Sequence, residues 1–398
     1  MIKMKKKVFL YTISLLLCLS GFAQQEIGNR GQAQINSPVI DATNRVTFNL
    51  LAPKADSVSL VGDVMRGLNT DARSIQMVKG ANGVWTYTTP AMPSDLYTYS
   101  FMVDGVRTID PNNVYTNRDV ATVTNMFITP SPSGLGDLYS VHDVPHGTVL
   151  RTWYPSPTNG EPAVRRVTIY TPPGYETSGE TYPVLYLLHG IGGDEEAWIT
   201  QGRTAQILDN LIARKRAVPM IVVMTNGNAA QEAAPGESSL GLERPGMGLP
   251  RTMEGSFETS FPDVIKFVES TYRVKADKAN RAIAGLSMGG FHTMHISRLY
   301  PNTFDYIGLF SAALGVGRGG DIPVYANIES TLRTQNSNGY KLYWIAMGKT
   351  DFLFQSCVDF RKQLDDIGMK YTYRESEGGH TWTNWRMYLT ELTPLLFK

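Results

Sequence analysis

The chain is 398 residues long, with a formal net charge of +1 and 18% charged residues. That length exceeds one ordinary domain and fits two, each with its own core. No Lys/Arg block longer than Arg214-Lys215-Arg216 follows the first few residues, so the charge pattern argues against a polyanion-binding surface and against nucleic acid as a partner.

The first residues read as an export signal. Lys3, Lys5, Lys6 and Lys7 precede the apolar stretch "VFLYTISLLLCL", and "SGFAQ" follows with small residues before the expected cut near Ala23. Residues 1–23 are therefore expected to be a signal peptide, and the mature chain is expected to be secreted or periplasmic. The apolar stretch is shorter than the roughly 20 residues of a membrane helix, and no later segment approaches that length, so no membrane span is expected. Leu17 before Cys18 does not suit a lipidation site. Cys357 would then be the cysteine left in the mature chain, which leaves no internal disulfide and reads as a small buried apolar residue.

Residues 24–130 read as an immunoglobulin-like β-sandwich. In "RVTFNLLAP" Val46, Phe48 and Leu50 alternate with polar residues, and Tyr97, Tyr99, Phe101 and Val103 do the same up to the turn dipeptide Asp104-Gly105. "SVSLVGD" and "GVWTYTTP" add further strands. Residues 131–147 are rich in Pro, Gly and Ser without a sustained period and read as a linker. From 148 to 398 near-continuous apolar runs, among them "YPVLYLLHG", "AVPMIVVMTNG", "RAIAGLSM" and "LYWIAMGKTD", alternate with stretches of helical spacing such as "RTAQILDNLIARK". That alternation predicts an α/β domain with a parallel sheet covered on both faces.

The chemistry centres on Gly285-Leu286-Ser287-Met288-Gly289, a G-x-S-x-G pentapeptide between a strand and a helix. At such an elbow the glycines remove Cβ atoms that would clash, and the serine hydroxyl stands above the sheet edge. A tight turn alone would explain the glycines but not a serine at the apex. A serine hydroxyl needs a base and an orienting acid, which in this topology follow it in the order acid, then histidine. His380, in the glycine-flanked loop of "ESEGGHTW", is the expected base. His292 and His295 sit on the elbow helix and read as packed residues, and His142 and His146 as solvated linker residues. Asp351, at the end of "LYWIAMGKTD", is the expected acid, although the same residue would also serve as a helix N-cap. Asp359, Asp365 and Asp366 fall on an amphipathic helix. The glycine-rich turn of "LLHGIGGDEEAW" ends a strand, and the backbone N–H groups of Ile191 and Met288 are assigned to an oxyanion hole, with His189 structural. The long Gly/Pro-rich segment 226–257 is expected to wall the acyl pocket. No ligand-spaced His, Cys or carboxylate cluster occurs, so no metal is expected.

"YTPPGYETSGETYPVLYLLHGIGGDEEAW", "AGLSMGG", "GKTD" and "GGHTWTNWR", kept in this order, resemble the esterase D-like group of carbohydrate esterase family 1, which contains feruloyl and acetylxylan esterases. The resemblance spans roughly residues 145–398. It implies an α/β-hydrolase fold, ester hydrolysis without a cofactor, and nucleophile, acid and base at Ser287, Asp351 and His380. "VTFNLLAPKADSVSLVGD" through "YSFMVDGVRTIDPNN" resembles the early-set module found before glycogen-branching enzymes and isoamylases, a carbohydrate-binding type. Trp85, Tyr97, Tyr99 and Tyr115 are aromatic there, but alternation sends half of such residues to the core, so none is named as a site.

The expected function is a secreted serine esterase that releases feruloyl groups from arabinoxylan through an acyl-enzyme, its partners being feruloylated or acetylated xylan and xylo-oligosaccharides. Acetylxylan esterase and siderophore trilactone esterase are the alternative hydrolases, and acyl transfer shares the same intermediate. A trilactone enzyme would want several cations at its pocket, for which segment 226–257 offers Arg244 and Arg251. The non-enzymatic alternative is a glycan-binding protein with a decayed hydrolase domain.

Overall fold

The computed structural model describes residues 35–241, 246–315 and 322–398; the expected signal peptide and Arg244 lie outside the described residues. The N-terminal strands are β1 (Val39–Ile40), β2 (Arg45–Leu51), β3 (Val58–Val61), β4 (Ile75–Gln76), β5 (Val78–Lys79), β6 (Val84–Ala91), β7 (Leu96–Val103), β8 (Val106–Thr108), β9 (Thr116–Asp119) and β10 (Thr122–Ile128), with the short helix α1 (Val64–Gly67). They form two antiparallel sheets, β1-β2-β6-β5 and β4-β3-β7-β10-β9, with β8 paired to β7. Val46, Phe48 and Leu50 of β2 meet Tyr97, Tyr99 and Phe101 of β7 in the space between the sheets. Asp104 and Gly105 both take positive φ, as a two-residue hairpin loop with the twist of its strands requires. Trp85, Tyr97 and Tyr99 are buried in this core, whereas Tyr115 is exposed.

The second part is an eight-stranded sheet built from β11 (Thr148–Pro155), β12 (Val164–Thr171), β13 (Val184–Leu188), β14 (Ile221–Thr225), β15 (Arg281–Leu286), β16 (Tyr306–Phe310), β17 (Leu342–Gly348) and β18 (Thr372–Ser376), in the order β11-β12-β14-β13-β15-β16-β17-β18. β11 and β12 are antiparallel to their neighbours and β13 through β18 run parallel. Its helices are α2 (Leu135–Tyr139), α3 (Ala197–Thr200), α4 (Thr204–Ala213), α5 (Ser256–Thr271), α6 (Met288–Leu299), α7 (Ile328–Asn338), α8 (Phe354–Asp366) and α9 (Trp382–Leu392). Successive side chains of each central strand enter different cores. Val184, Tyr186 and Leu188 of β13 pack with α5, α6, α7 and α8, whereas Leu185 and Leu187 pack with α4 and α9. Burial on both faces is why these strands read as continuous apolar runs. Cys357 is buried on the first face, and burial pushes its thiol up to about 11.

The stretch read as linker contains α2, and its Leu138 and Tyr139 are buried in the second core beside Leu96 and Met126 of the sandwich. The pattern was too short to reveal a helix, because the partners that bury it lie far along the chain. Arg203 donates to Tyr139 O from Nε at 3.0 Å and from Nη2 at 2.9 Å, and Asn210 Nδ2 donates to Leu138 O at 3.0 Å and Ser140 O at 2.9 Å. Arg386 of α9, 1% exposed, donates from Nη1 to Gln201 O and from Nη2 to Leu96 O, each at 3.0 Å. Arg386 thus fastens the sandwich to the sheet domain through Leu96 O, while Arg203 and Asn210 hold α2 in place. Nonpolar replacement strands their carbonyl partners. Arg386→Leu is expected to lower unfolding free energy by about 3 kcal/mol in urea denaturation, because buried acceptors would lose charged donors.

Beneath the turn after β13 lies a polar knot. Glu195, fully buried, accepts from Ala234 N–H at 2.8 Å and from Asn226 Nδ2 at 3.1 Å. Burial, with Asp194 beside it, pushes this carboxyl up to about 7 from the usual 4.5. Between those two values the folded chain holds a proton that the unfolded chain has lost, so this group makes stability fall as pH rises through the window. Glu195→Gln should remove that contribution. Unfolding free energies measured from pH 4.5 to 7 should then climb more steeply, or fall less, for the variant than for the wild type.

Candidate active site

Ser287 occupies the single position between the end of β15 and the start of α6, with φ 52° and ψ −116°. A serine seldom takes this backbone geometry, and three hydrogen bonds hold it there. Its N–H donates to Phe310 O at 2.9 Å, and its carbonyl accepts from Phe291 N–H and Ala313 N–H, both at 3.0 Å. A Cβ on Gly285 would collide with Gly289 O, and one on Gly289 would collide with Leu188 O, so both glycines are demanded by backbone approach. The sharp reversal this allows points the start of α6 back across the end of β13.

β17 and β18 deliver the other two residues. The paired positions Leu286↔Phe310, Phe310↔Ala346 and Gly348↔Ser376 show that β15 through β18 end at neighbouring heights on one sheet edge. Asp351 and His380 leave that edge in the loops after β17 and β18. His380 Nδ1 donates to Asp351 Oδ2 at 2.9 Å and lies 3.1 Å from Oδ1. The Asp351 side chain is wholly buried and His380 retains 17% exposure. Asp351 Oδ1 also accepts from Leu353 N–H at 2.9 Å, an Asx turn ahead of α8; the N-cap of that helix is Leu353, so the expected capping role of Asp351 does not hold, because the helix starts two residues later than that role requires. Asn384 Nδ2 donates to Glu377 O at 3.1 Å and Gly379 O at 2.9 Å, which fixes the loop carrying His380. The structure brings Asp351 and His380 together and places Ser287 on the same edge, one strand removed from β17. Ser287 Oγ makes no hydrogen bond to a described residue, and such contacts characteristically tighten when substrate binds.

Gly190 through Gly193 form a turn closed by Gly193 N–H on Gly190 O at 3.1 Å, with Gly192 at φ 78°. Positive φ at the third position is the mark of a type II turn and favours glycine. A Cβ on Gly190 would lie 3.3 Å from Ser287 Cβ, so the turn borders the elbow. Neither Ile191 N–H nor Met288 N–H has an acceptor among the described residues, and Met288 opens α6, where helix amides lack partners. His189 donates from Nδ1 to Gly190 O at 2.6 Å and accepts at Nε2 from Gly227 N–H at 2.7 Å. Burial brings its pKa down to about 4, so the ring is a neutral brace.

The remaining histidines are held elsewhere. His292 Nδ1 pairs with Glu258 Oε1 at 2.7 Å, both side chains being fully buried. His295 receives the Arg298 guanidinium at 2.6 Å, and burial followed by that cation pushes it down to about 2. His142 and His146 are not merely solvated, since they contact Asp137 and Asp209.

A cavity of about 870 Å³ opens beside the turn, lined by Ile191, Met247, Leu249, Phe291, Ile322 and Tyr325 among others. Residues 247–250 and 252–254 of the long loop line it. Sequence reasoning missed the aromatic frame of His380. Phe352 lies 4.6 Å from its ring and Trp385 5.0 Å, edge-on. The clustering of aromatics in "TDF" and "HTWTNW" was the available signal.

Comparison with known proteins gives these observations a family. The Esterase family pattern matches residues 162–396, and carbohydrate-binding module 48, the isoamylase N-terminal domain, matches residues 35–116. An endo-1,4-beta-xylanase/feruloyl esterase of Xylanibacter ruminicola is 32% identical over 282 residues, which cover 69% of this chain and 36% of that protein; the chain thus spans about a third of that relative. Among solved structures, a CE1 ferulic acid esterase of Anaeromyces mucronatus bound to ferulic acid superposes with a TM-score of 0.55 at 21% identity, covering 72% of this chain and 97% of that one. The enterobactin esterase of Shigella flexneri superposes with a TM-score of 0.61 at 17% identity, covering 89% and 93%. At such identities these two likenesses speak for the fold. The chain belongs to the Esterase family, a feruloyl esterase-like domain of α/β-hydrolase fold preceded by a carbohydrate-binding module of type 48.

Proposed function

We propose that the chain is an exported serine esterase that releases hydroxycinnamoyl groups from arabinoxylan through an acyl-enzyme. The observation that carries this reading is the Asp351–His380 hydrogen bond on the sheet edge that also bears the Ser287 elbow, beside a large apolar cavity. In the proposed cycle Asp351 holds the Nδ1–H of His380, leaving Nε2 to take the proton as Ser287 Oγ attacks the ester carbonyl. The amides of Ile191 and Met288 receive the oxyanion. His380 then protonates the departing sugar oxygen, and water repeats the sequence on the acyl-enzyme to release the acid.

The acyl group is argued from size and charge. An acetyl group would leave most of the roughly 870 Å³ unfilled, whereas a phenylpropenoyl group suits walls such as Ile191, Leu249 and Phe291. Against an anionic catecholate trilactone, Glu254 is the charged residue among the described lining. Arg251 turns its guanidinium to Glu161 O and Asn159 O instead. The basic-then-apolar N-terminus supports export, and the xylanase joined to a feruloyl esterase in the Xylanibacter ruminicola relative supports a xylan substrate. A decayed glycan-binding role is disfavoured by the retention of the serine, the acid and the histidine.

Methyl ferulate, acetylated xylan and a catecholate trilactone, assayed with the wild type and with Ser287→Ala, test the proposal. Wild-type turnover is expected to be highest on methyl ferulate, and Ser287→Ala should lose at least about 10³-fold in kcat/KM. Ferulate release that survives Ser287→Ala would overturn the mechanism, and preference for the trilactone or for acetylated xylan would overturn the substrate.

A further inference from the structure

The hairpin of β9 and β10 carries the sandwich to the oxyanion turn. Its two-residue loop is Val120-Ala121, and Val120 has φ 52°. Positive φ at the first loop position of such a hairpin is ordinarily met by glycine, and a β-branched residue there is strained. The isopropyl group that incurs this strain has a definite neighbour. A Cβ on Gly192 would lie 2.7 Å from Val120 Cγ2 and 3.0 Å from Met247 Sδ, so Val120 and Met247 press on the turn from outside.

Arg118, on the same hairpin, ties the turn from below. Its Nη2 forms an ion pair with Asp194 Oδ2, whose side chain is 3% exposed, while its Nη1 donates to Val120 O at 3.0 Å. Gln201 Nε2 donates to Arg118 O at 3.0 Å and to Asp119 Oδ1 at 3.3 Å. From the other side Asn228 Nδ2 donates to Gly193 O at 2.8 Å. One guanidinium therefore joins the loop of the hairpin to Asp194, the residue that follows the oxyanion turn. Three of the four residues in that turn are glycine, so its shape must be imposed by such neighbours.

We propose that Arg118 and Val120 are positioning residues of the esterase reaction: the hairpin holds Ile191 N–H where the oxyanion forms, and the sandwich thereby supports turnover of small esters that carry no polysaccharide. The inference rests on the serine-esterase reading and deepens it. An oxyanion donor acts in the transition state more than in the ground state, so a displaced donor is felt in kcat rather than KM.

The test is steady-state kinetics on methyl ferulate, which has no sugar for a binding module to hold, together with thermal unfolding. Arg118→Ala should lower kcat about 10- to 100-fold, within the range for loss of one such donor, with KM changed by less than about threefold. Arg118→Lys should recover part of the loss, since an ammonium keeps the charge but not both donations. Val120→Gly should lower kcat about fivefold or more while the melting temperature holds or rises, because glycine relieves the positive φ. A structural role alone would move stability and leave kcat in place. If Arg118→Ala fails to fold, Val120→Gly decides by itself. Wild-type kcat in Val120→Gly, alongside an inactive Ser287→Ala, would overturn this inference alone; turnover surviving in Ser287→Ala would overturn the reading beneath it.

Discussion

The backbone of Ser287 is the constraint around which the sheet domain is arranged. A residue with a side chain at φ 52° and ψ −116° persists only where its surroundings over-determine it. Here the amide is taken by β16, while the carbonyl is shared by the first turn of α6 and the segment after β16. The same reversal demands that α6 start almost in contact with β13, which only the absence of side chains at Gly285 and Gly289 permits. Ser287 thereby stands at the end of β15, directly before the first residue of α6, Met288. Nucleophile and oxyanion donor would then come from one backbone feature, so their spacing is set by peptide geometry rather than by side-chain rotamers.

The proposed acid and base, Asp351 and His380, depend on the same sheet by a different route. A Cβ on Gly348 would collide with Gly378 O, so the loops after β17 and β18 are closely packed. Thr350 N–H donates to Gly378 O at 3.0 Å and Lys349 N–H to Ser376 O at 2.9 Å, continuing the ladder past the last strand residues. Asp351 is fixed by Leu353 N–H before it meets His380, which spares the histidine that ordering. The imidazole then rests between Phe352 and Trp385, leaving one edge for Nε2. Asp351 is buried and the imidazole partly open, an arrangement that suits the proposed cycle, with a fixed carboxylate and a ring that carries the proton.

The sequence was legible where the physics is local. Alternation placed Val46, Phe48 and Leu50 in the sandwich core, the continuous runs placed β13 to β17 inside a two-sided sheet, and the strand-to-helix context located the Ser287 elbow. The loop positions of Asp351 and His380 followed from chain order along a parallel sheet. Illegible were features whose partners are distant in the chain. α2 has too few residues to show a period, and its burial comes from packing on α4 and on β7, which carries Leu96. The Arg118–Asp194 pair joins residues 76 apart, and neither "NRD" nor "GGDEE" signals the other. Arg251, counted from the sequence as a pocket cation, turns to backbone carbonyls instead because Asn159 and Glu161 present them within reach. Side-chain direction is a tertiary property that a residue type does not disclose.

The two halves of the proposed oxyanion site also differ in where their rigidity originates. Met288 is locked within the elbow, by strand, helix and close-packed glycines that belong to one continuous segment. Ile191 lies in a turn with glycine on both sides and 36% exposure, and its own hydrogen bond, Gly193 N–H to Gly190 O, closes only the loop itself. Such a turn takes its position from what surrounds it: the neutral His189 ring below, Asn228 on one flank, and the sandwich hairpin on the other. Arg386 fastens the sandwich elsewhere, through the Leu96 carbonyl, so the hairpin approaches the turn from a fixed base. A module of carbohydrate-binding type joined by a flexible tether would transmit nothing to Ile191. One sharing a buried core with α9 can impose its own geometry on the turn that carries Ile191, as proposed.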